Sequence, residues 1–103
     1  MVNNKVSGLL GLATKAGKVV AGYEAVCECI EKKKAKLVIV STEASDKTKS
    51  NIKYICEKNN VMCIEYAEIK FLSKAVGKEN KAIIGLKDNN FATAIKNILM
   101  EGI

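Results

Sequence analysis

Apolar residues recur along the chain in two alternating rhythms. Val6, Leu9, Leu10 and Ala13 stand at i, i+3, i+4 and i+7, which predicts a helix over Asn3 to Ala16 closed by Gly17 in the left-handed conformation. Gly8 and Gly11 interrupt that helix, each weakening it by about 1 kcal/mol, and are expected to permit close packing against a neighbour. After a short Lys18-Val19-Val20 segment and Gly22, the positions of Tyr23, Val26, Cys27 and Ile30 predict a second helix from Tyr23 to Lys33. Leu37-Val38-Ile39-Val40 is a continuous branched run, the signature of a central strand covered on both faces. A third helix is expected over Asp46 to Asn59, with Ile52, Ile55 and Cys56 inward and Ser45 as its N-cap. Met62 to Tyr66 reads as a strand, and Ile69, Leu72, Ser73 and Val76 mark a short helix ended by Gly77. Ala82 to Leu86 reads as another core strand. Asp88 or Asn89 then caps a last helix with Phe91, Ala94, Ile95 and Ile98 inward. Helices alternating with strands imply a sheet with helices on both faces, an α/β/α sandwich. At 103 residues, with no repeat or linker, residues 1–103 form a single domain in this reading.

Composition narrows the function. The longest apolar runs are far below the ~20 residues of a membrane span. No basic segment followed by an apolar run opens the chain, so a cytoplasmic protein without a signal peptide is expected. Lys and Arg total 17 against 11 Asp and Glu, a net charge of +6, and every one of those cations is a lysine. A basic surplus on a small domain points to a polyanionic partner such as nucleic acid, or to a surface that only keeps the protein soluble. His is absent, which removes the commonest general base and a common metal ligand. Cys27, Cys29, Cys56 and Cys63 lack zinc-ribbon spacing and read as reduced, buried thiols, so neither metal nor cofactor is expected. Gly11 through Lys18 fails as a phosphate-binding loop. Five residues rather than four separate Gly11 from Gly17, Val19 stands where Ser or Thr is needed, and a strand follows instead of preceding. A cysteine nucleophile would lack a His partner, and no pair of carboxylates stands out as an acid/base couple. An enzyme is not expected.

Binding remains. Ser7-Gly8-Leu9-Leu10-Gly11-Leu12-Ala13-Thr14-Lys15-Ala16-Gly17-Lys18-Val19-Val20-Ala21-Gly22 followed by Glu24 resembles the opening of the L-seven-Ae ribosomal protein family, nearest its small bacterial YlxQ-like branch. Ala35-Lys36-Leu37-Val38, Ser41 to Ser45, Thr48-Lys49 and Leu72-Ser73-Lys74-Ala75-Val76-Gly77-Lys78 follow in the family's order, so the similarity spans nearly the whole chain. The resemblance implies a three-layer fold around a mixed four-stranded sheet with about five helices. It also implies binding of structured RNA, typically a kink-turn, with ribosomal RNA or the ribosome among the implied partners, by the N-terminus of the second helix and neighbouring loops. The positions that carry over are Ala21, Gly22 and Glu24 with Val76, Gly77 and Lys78. Independently, Gly22 lets a backbone approach a phosphate, and a helix N-terminus offers free N–H groups and partial positive charge. Lys15, Lys18, Lys36, Lys74, Lys78 and Lys81 are candidates for the surrounding positive field.

The departures bear on the same site. In the family's kink-turn binders an Asn, a Glu and, three further on, a Lys follow the glycine, and these fall on Glu24, Ala25 and Glu28. Glu24, Glu28 and Glu31 make that helical face acidic. A protein-interaction module that kept the fold and lost kink-turn recognition is therefore the alternative. Lys32-Lys33-Lys34 with Lys36 reads either as complement to a helix C-terminus or as a phosphate-contacting turn. Tyr23, Tyr54, Tyr66, Phe71 and Phe91 are expected mostly in the core.

Overall fold

A computed structural model describes residues 4–101. The elements follow in the order α1 (Asn4–Lys15), β1 (Val19–Ala21), α2 (Tyr23–Glu31), β2 (Leu37–Val40), α3 (Asp46–Lys58), β3 (Cys63–Glu65), α4 (Ile69–Ala75), β4 (Ile83–Leu86) and α5 (Asn89–Glu101). The four strands form one sheet in the order β1-β4-β2-β3. β4 runs antiparallel to both β1 and β2, while β2 and β3 are parallel, so the sheet is mixed. The α/β architecture expected from the alternating pattern is present. Asn3, the expected first residue of α1, lies outside the described residues.

β2 and β4 are the two central strands, and every residue of both is buried. Their alternation divides the core. Leu37, Ile39, Ile84 and Leu86 pack with Val6, Leu10, Leu72 and Ile95 of α1, α4 and α5. Val38, Val40 and Ile83 pack on the opposite face with Val26, Ile30, Ile52 and Cys56 of α2 and α3. Gly85 lies on that second face, where a Cβ would come within 3.0 Å of Val20 Cγ2 and 3.5 Å of Val26 Cγ2. The missing side chain lets β1 and α2 close over β4.

Local chemistry sets the helix ends. Ser45 Oγ accepts a hydrogen bond from the Thr48 N–H at 3.1 Å and so caps α3, while Asp88 Oδ2 accepts from the Phe91 N–H at 2.9 Å at the start of α5. α2 stops at Glu31, short of the expected Lys33, because Lys33 takes a left-handed φ of 64° and the Lys34 N–H turns back to the Cys29 carbonyl. At the edge strand β3, Glu65 holds Lys49 and Lys53 at 3.0 and 3.2 Å, and those ammonium groups keep its carboxyl below the usual range.

Expectations at five residues, about facing or close packing, need correction. Tyr23 is 39% exposed and Cys27 only half-buried, because α2 meets the sheet through Val26, Cys29 and Ile30. Tyr54 is 64% exposed, since α3 packs through Ile52, Ile55 and Cys56 and Tyr54 points away from that stripe. Gly8 has open space beside it, so close packing does not explain it. Gly11 is only at ordinary contact distance, 3.7 Å from the Ala75 carbonyl oxygen to a Cβ placed on it.

Ile39 is fully buried between the layers. Ile39→Asp is expected to abolish cooperative thermal unfolding followed by circular dichroism, because an unpaired carboxylate there cannot be accommodated. Ser45→Ala should instead leave a cooperative transition, destabilised by about 1 kcal/mol through loss of the α3 cap.

Candidate nucleic-acid interface

Gly22 joins β1 to α2. Its N–H donates to the Ile83 carbonyl at 2.8 Å, its carbonyl accepts from the Val26 N–H at 3.0 Å, and its φ of 101° favours glycine. No side chain caps the helix that starts here, so its first-turn N–H groups face outward without a side-chain acceptor. A methyl group placed on Gly22 would lie 3.6 Å from Lys81 Nζ. A lysine ammonium therefore stands over the uncapped start of α2, a fitting seat for an anionic oxygen.

Lys81 is held there by Ser73, which is only 5% exposed. Ser73 Oγ accepts from the Lys81 N–H at 2.7 Å and donates to the Lys81 carbonyl at 3.2 Å. Gly77, at φ 69°, ends α4 and turns the chain into the 77–81 loop, with the Lys78 N–H bonded to the Ser73 carbonyl at 2.8 Å. Between this loop, α4 and the loop after β2 runs an open groove of about 820 Å³, lined by Lys70, Lys74 and Lys78 together with Glu43 and Glu79. Glu43 Oε1 accepts from the Ile69 N–H at 2.9 Å and ties the loop after β2 to α4. Beside the site, Glu24, Glu28 and Glu31 line the outer face of α2 with Tyr23, Ala25 and Cys27. Glu28 pairs with Lys32 at 3.2 Å, and both are exposed.

The predicted positions fall into two groups. Ala21, Gly22, Glu24, Lys74, Gly77, Lys78 and Lys81 gather at the end of the sheet where β1 finishes and β4 begins. Val76 belongs to the same loop but is 2% exposed, a core residue under it with no surface to offer a ligand. Lys15, Lys18 and Lys36 lie at the other end, where the Lys18 carbonyl accepts from the Lys87 N–H at 2.8 Å and the Lys36 N–H donates to the Leu86 carbonyl at 2.7 Å. Lys18 and Gly22 stand four residue steps apart along extended chain, about 13 Å. Ser73, Glu43, Lys70 and Glu79 were not among the expected site residues. The signal for Ser73 was a polar residue on the inward stripe of α4, which must find partners if buried.

Charge follows the same division. The Gly22 end carries Lys5, Lys47, Lys70, Lys74, Lys78 and Lys81, matched by Glu24, Glu43, Asp46, Glu68, Glu79 and Glu101. The other end carries Lys15, Lys18, Lys32, Lys33, Lys34, Lys36, Lys58, Lys87 and Lys96 against Glu28, Glu31, Glu57 and Asp88. Most of the net +6 therefore lies away from Gly22.

The cysteines sit in or beside the core under α2 and α3. Burial pushes the Cys27 and Cys29 thiols up, and the hydrogen bond from Cys56 to Cys63 holds the proton on Cys56. Among the described residues no three His, Cys, Asp or Glu side chains converge as a metal site.

Comparison with known proteins shows what the chain as a whole is similar to. The model of the ribosomal protein L7Ae/L30e/S12e/Gadd45 family matches residues 4–96. An RNA-binding protein YlxQ from Enterococcus faecium is 35% identical over 95 residues, covering 92% of this chain and 91% of that protein. The RNA-binding protein YlxQ of Bacillus subtilis (strain 168) is 33% identical over 94 residues, covering 88% and 91%. A solved structure of a Bacillus halodurans protein with unknown function superposes with a TM-score of 0.92 at 28% identity, covering 96% of this chain and 100% of that one. A Giardia lamblia 15.5kD RNA binding protein shares the fold, with a TM-score of 0.78 at 15% identity over 98% and 90% of the two chains.

Ser73→Ala removes both hydrogen bonds that hold Lys81 and leaves its N–H unpaired, a loss of about 1–3 kcal/mol. The expected result is a lower melting temperature together with faster hydrogen exchange at the Lys81 amide. Unchanged exchange at that amide would show that the serine does not position it.

Proposed function

The chain belongs to the ribosomal protein L7Ae/L30e/S12e/Gadd45 family, and we propose that it is a non-enzymatic, cytoplasmic RNA-binding protein. In this reading it captures a sharply bent, kink-turn-like RNA, of ribosomal or related origin, at the N-terminus of α2. The observation that carries it is the Lys81 ammonium poised over the uncapped, glycine-started α2. Bent RNA is recognised mainly through shape, phosphates and splayed bases, so a few backbone N–H groups and lysines at one concave end suffice. Lys78 on the exposed loop, with Lys70 and Lys74 along the groove, can track the phosphate backbone leaving the bend. The YlxQ relatives are named as RNA-binding proteins, and the match to them covers most of the chain, the α2 start and the 77–81 loop included.

A second reading rests on a specific observation. Glu24 in the first turn of α2, beside Gly22, begins an acidic face that Glu28 and Glu31 continue toward the other end of the sheet, and the lysines of the Gly22 end are matched in number by carboxylates. Such a face suits a basic protein partner better than a phosphate. The two readings diverge in titration.

Glu28→Lys changes the local charge by two units and frees Lys32 from its ion pair. At partly screened distances this is on the order of 1 kcal/mol, several-fold in affinity. The expected outcome is tighter binding to a kink-turn RNA, with a log–log salt slope steeper by up to about one unit if a phosphate contact forms. Lys78→Ala should weaken binding and make the slope shallower. Fluorescence titrations at several salt concentrations check both. Equal affinity for kinked and straight RNA, or no response to either substitution, would favour the protein-binding reading.

A further inference from the structure

The positive charge of this protein is concentrated at the end of the sheet that the preceding reading leaves unused. Lys15 ends α1, Lys18 leads into β1, Lys34 and Lys36 flank the turn before β2, Lys87 follows β4, and Lys96 lies on α5. Five separate parts of the fold thus bring lysines to one place. Lys15, Lys18, Lys34 and Lys36 are exposed. Lys36 and Lys96 line one shallow depression with Asn89 and Thr93. Burial and, less strongly, the Glu28 carboxylate push the Cys29 thiol up, and the ammonium groups of Lys87, Lys34 and Lys36 all bear on it in the opposite sense.

Ordinary structural roles account for only part of the cluster. Lys32 pairs with Glu28, and Lys33 Nζ donates to Asn59 Oδ1 at 3.4 Å. Lys15 complements the C-terminus of α1. Among the described residues, Lys18, Lys34, Lys36, Lys87 and Lys96 have no carboxylate within 4.0 Å. Asp88, adjacent to Lys87 in sequence, is committed to capping α5, and Glu31, three residues before Lys34, forms no ion pair with it. Like charges held together without partners repel one another, a cost that a polyanion would relieve.

The chemistry of the surface identifies the ligand. The exposed aromatics Tyr23 and Tyr54 lie on α2 and α3 rather than here, so bases find no stacking platform among these lysines. Without arginine there is no bidentate fork to read base edges. What remains is a broad array of point charges that suits phosphates spaced along a double helix. We infer that this lysine-ringed end is a second RNA surface, which takes the phosphate backbone of a duplex without reading its sequence while the Gly22 end holds the bent RNA. The inference builds on the RNA-binding reading and extends it. The protein joins two RNA segments, one selected by shape and one by charge.

The test uses the full chain and the exposed triple variant Lys18→Gln, Lys34→Gln and Lys36→Gln. Wild-type protein loaded on an immobilised kink-turn RNA with minimal flanking stems should retain a labelled straight duplex at low salt, and the variant should lose about tenfold or more of that retention. In solution, the salt slope for straight duplex should fall by about two to three units in the variant, near 0.9 for each phosphate contact removed. Affinity for the minimal kink-turn should stay within about twofold, whereas Lys78→Ala should show the reverse pattern. Duplex retention that is absent in the wild type, or that is equal in the variant, would overturn the inference. So would preferential binding of anionic vesicles over duplex through the same lysines. Loss of kink-turn selectivity with duplex binding still dependent on these three lysines would sink the preceding reading and leave this one standing.

Discussion

The pairing of β4 between β1 and β2 is the constraint on which the rest of the structure depends. β4 contributes Ile84 and Leu86 to one core layer and Ile83 to the other, so it links both sets of helices. Gly85 leaves the room into which Val20 and Val26 close, which fixes α2 against the sheet. The Gly22 N–H donates to the Ile83 carbonyl at the first residue of the same strand, and Lys81 stands two residues before it. One antiparallel register therefore sets where α2 begins and where the Lys81 ammonium stands.

The two ends of the sheet solve different electrostatic problems. At the Gly22 end lysines and carboxylates match in number, so the proposed capture there would depend on placement, on uncapped N–H groups and on Ser73 holding the loop. Net charge supplies little. At the Lys18 end the lysines outnumber their neighbours' carboxylates, and attraction depends on charge density rather than geometry. A field of that kind acts at longer range and falls steeply with salt, while the shape selection proposed for the other end would persist at higher ionic strength.

Much of the fold is legible in the sequence because its strongest signals are local. Leu37 to Val40 and Ile83 to Leu86 are branched runs too apolar for a half-exposed position, and both proved central. Ser45 and Asp88 announce helix starts through a side-chain oxygen next to the N–H groups it serves. The facing of α2 was harder. Val26 and Ile30 are common to two candidate stripes, one adding Tyr23 and Cys27 and the other Cys29, and packing against the sheet selects the second. Tyr54 misleads for a similar reason, since its apolar ring fits a core while its hydroxyl is served equally well by water. Gly22 stood out in the sequence as the residue that starts α2, whereas its contact with Lys81 is a tertiary fact carried by no local pattern. The separation of Lys15, Lys18 and Lys36 from Lys74, Lys78 and Lys81 likewise follows from strand direction, which periodicity does not encode.

The central claim is that the start of α2 and the 77–81 loop form one RNA site. Backbone amide shifts of the labelled protein, recorded as a kink-turn RNA is added, test it most directly. The account predicts the largest perturbations at Gly22, Glu24, Gly77, Lys78 and Lys81, at RNA concentrations where the Lys15, Lys18 and Lys36 amides change less. Perturbations confined to the Lys18 end, with Gly22 and Lys81 unmoved at saturation, would contradict it.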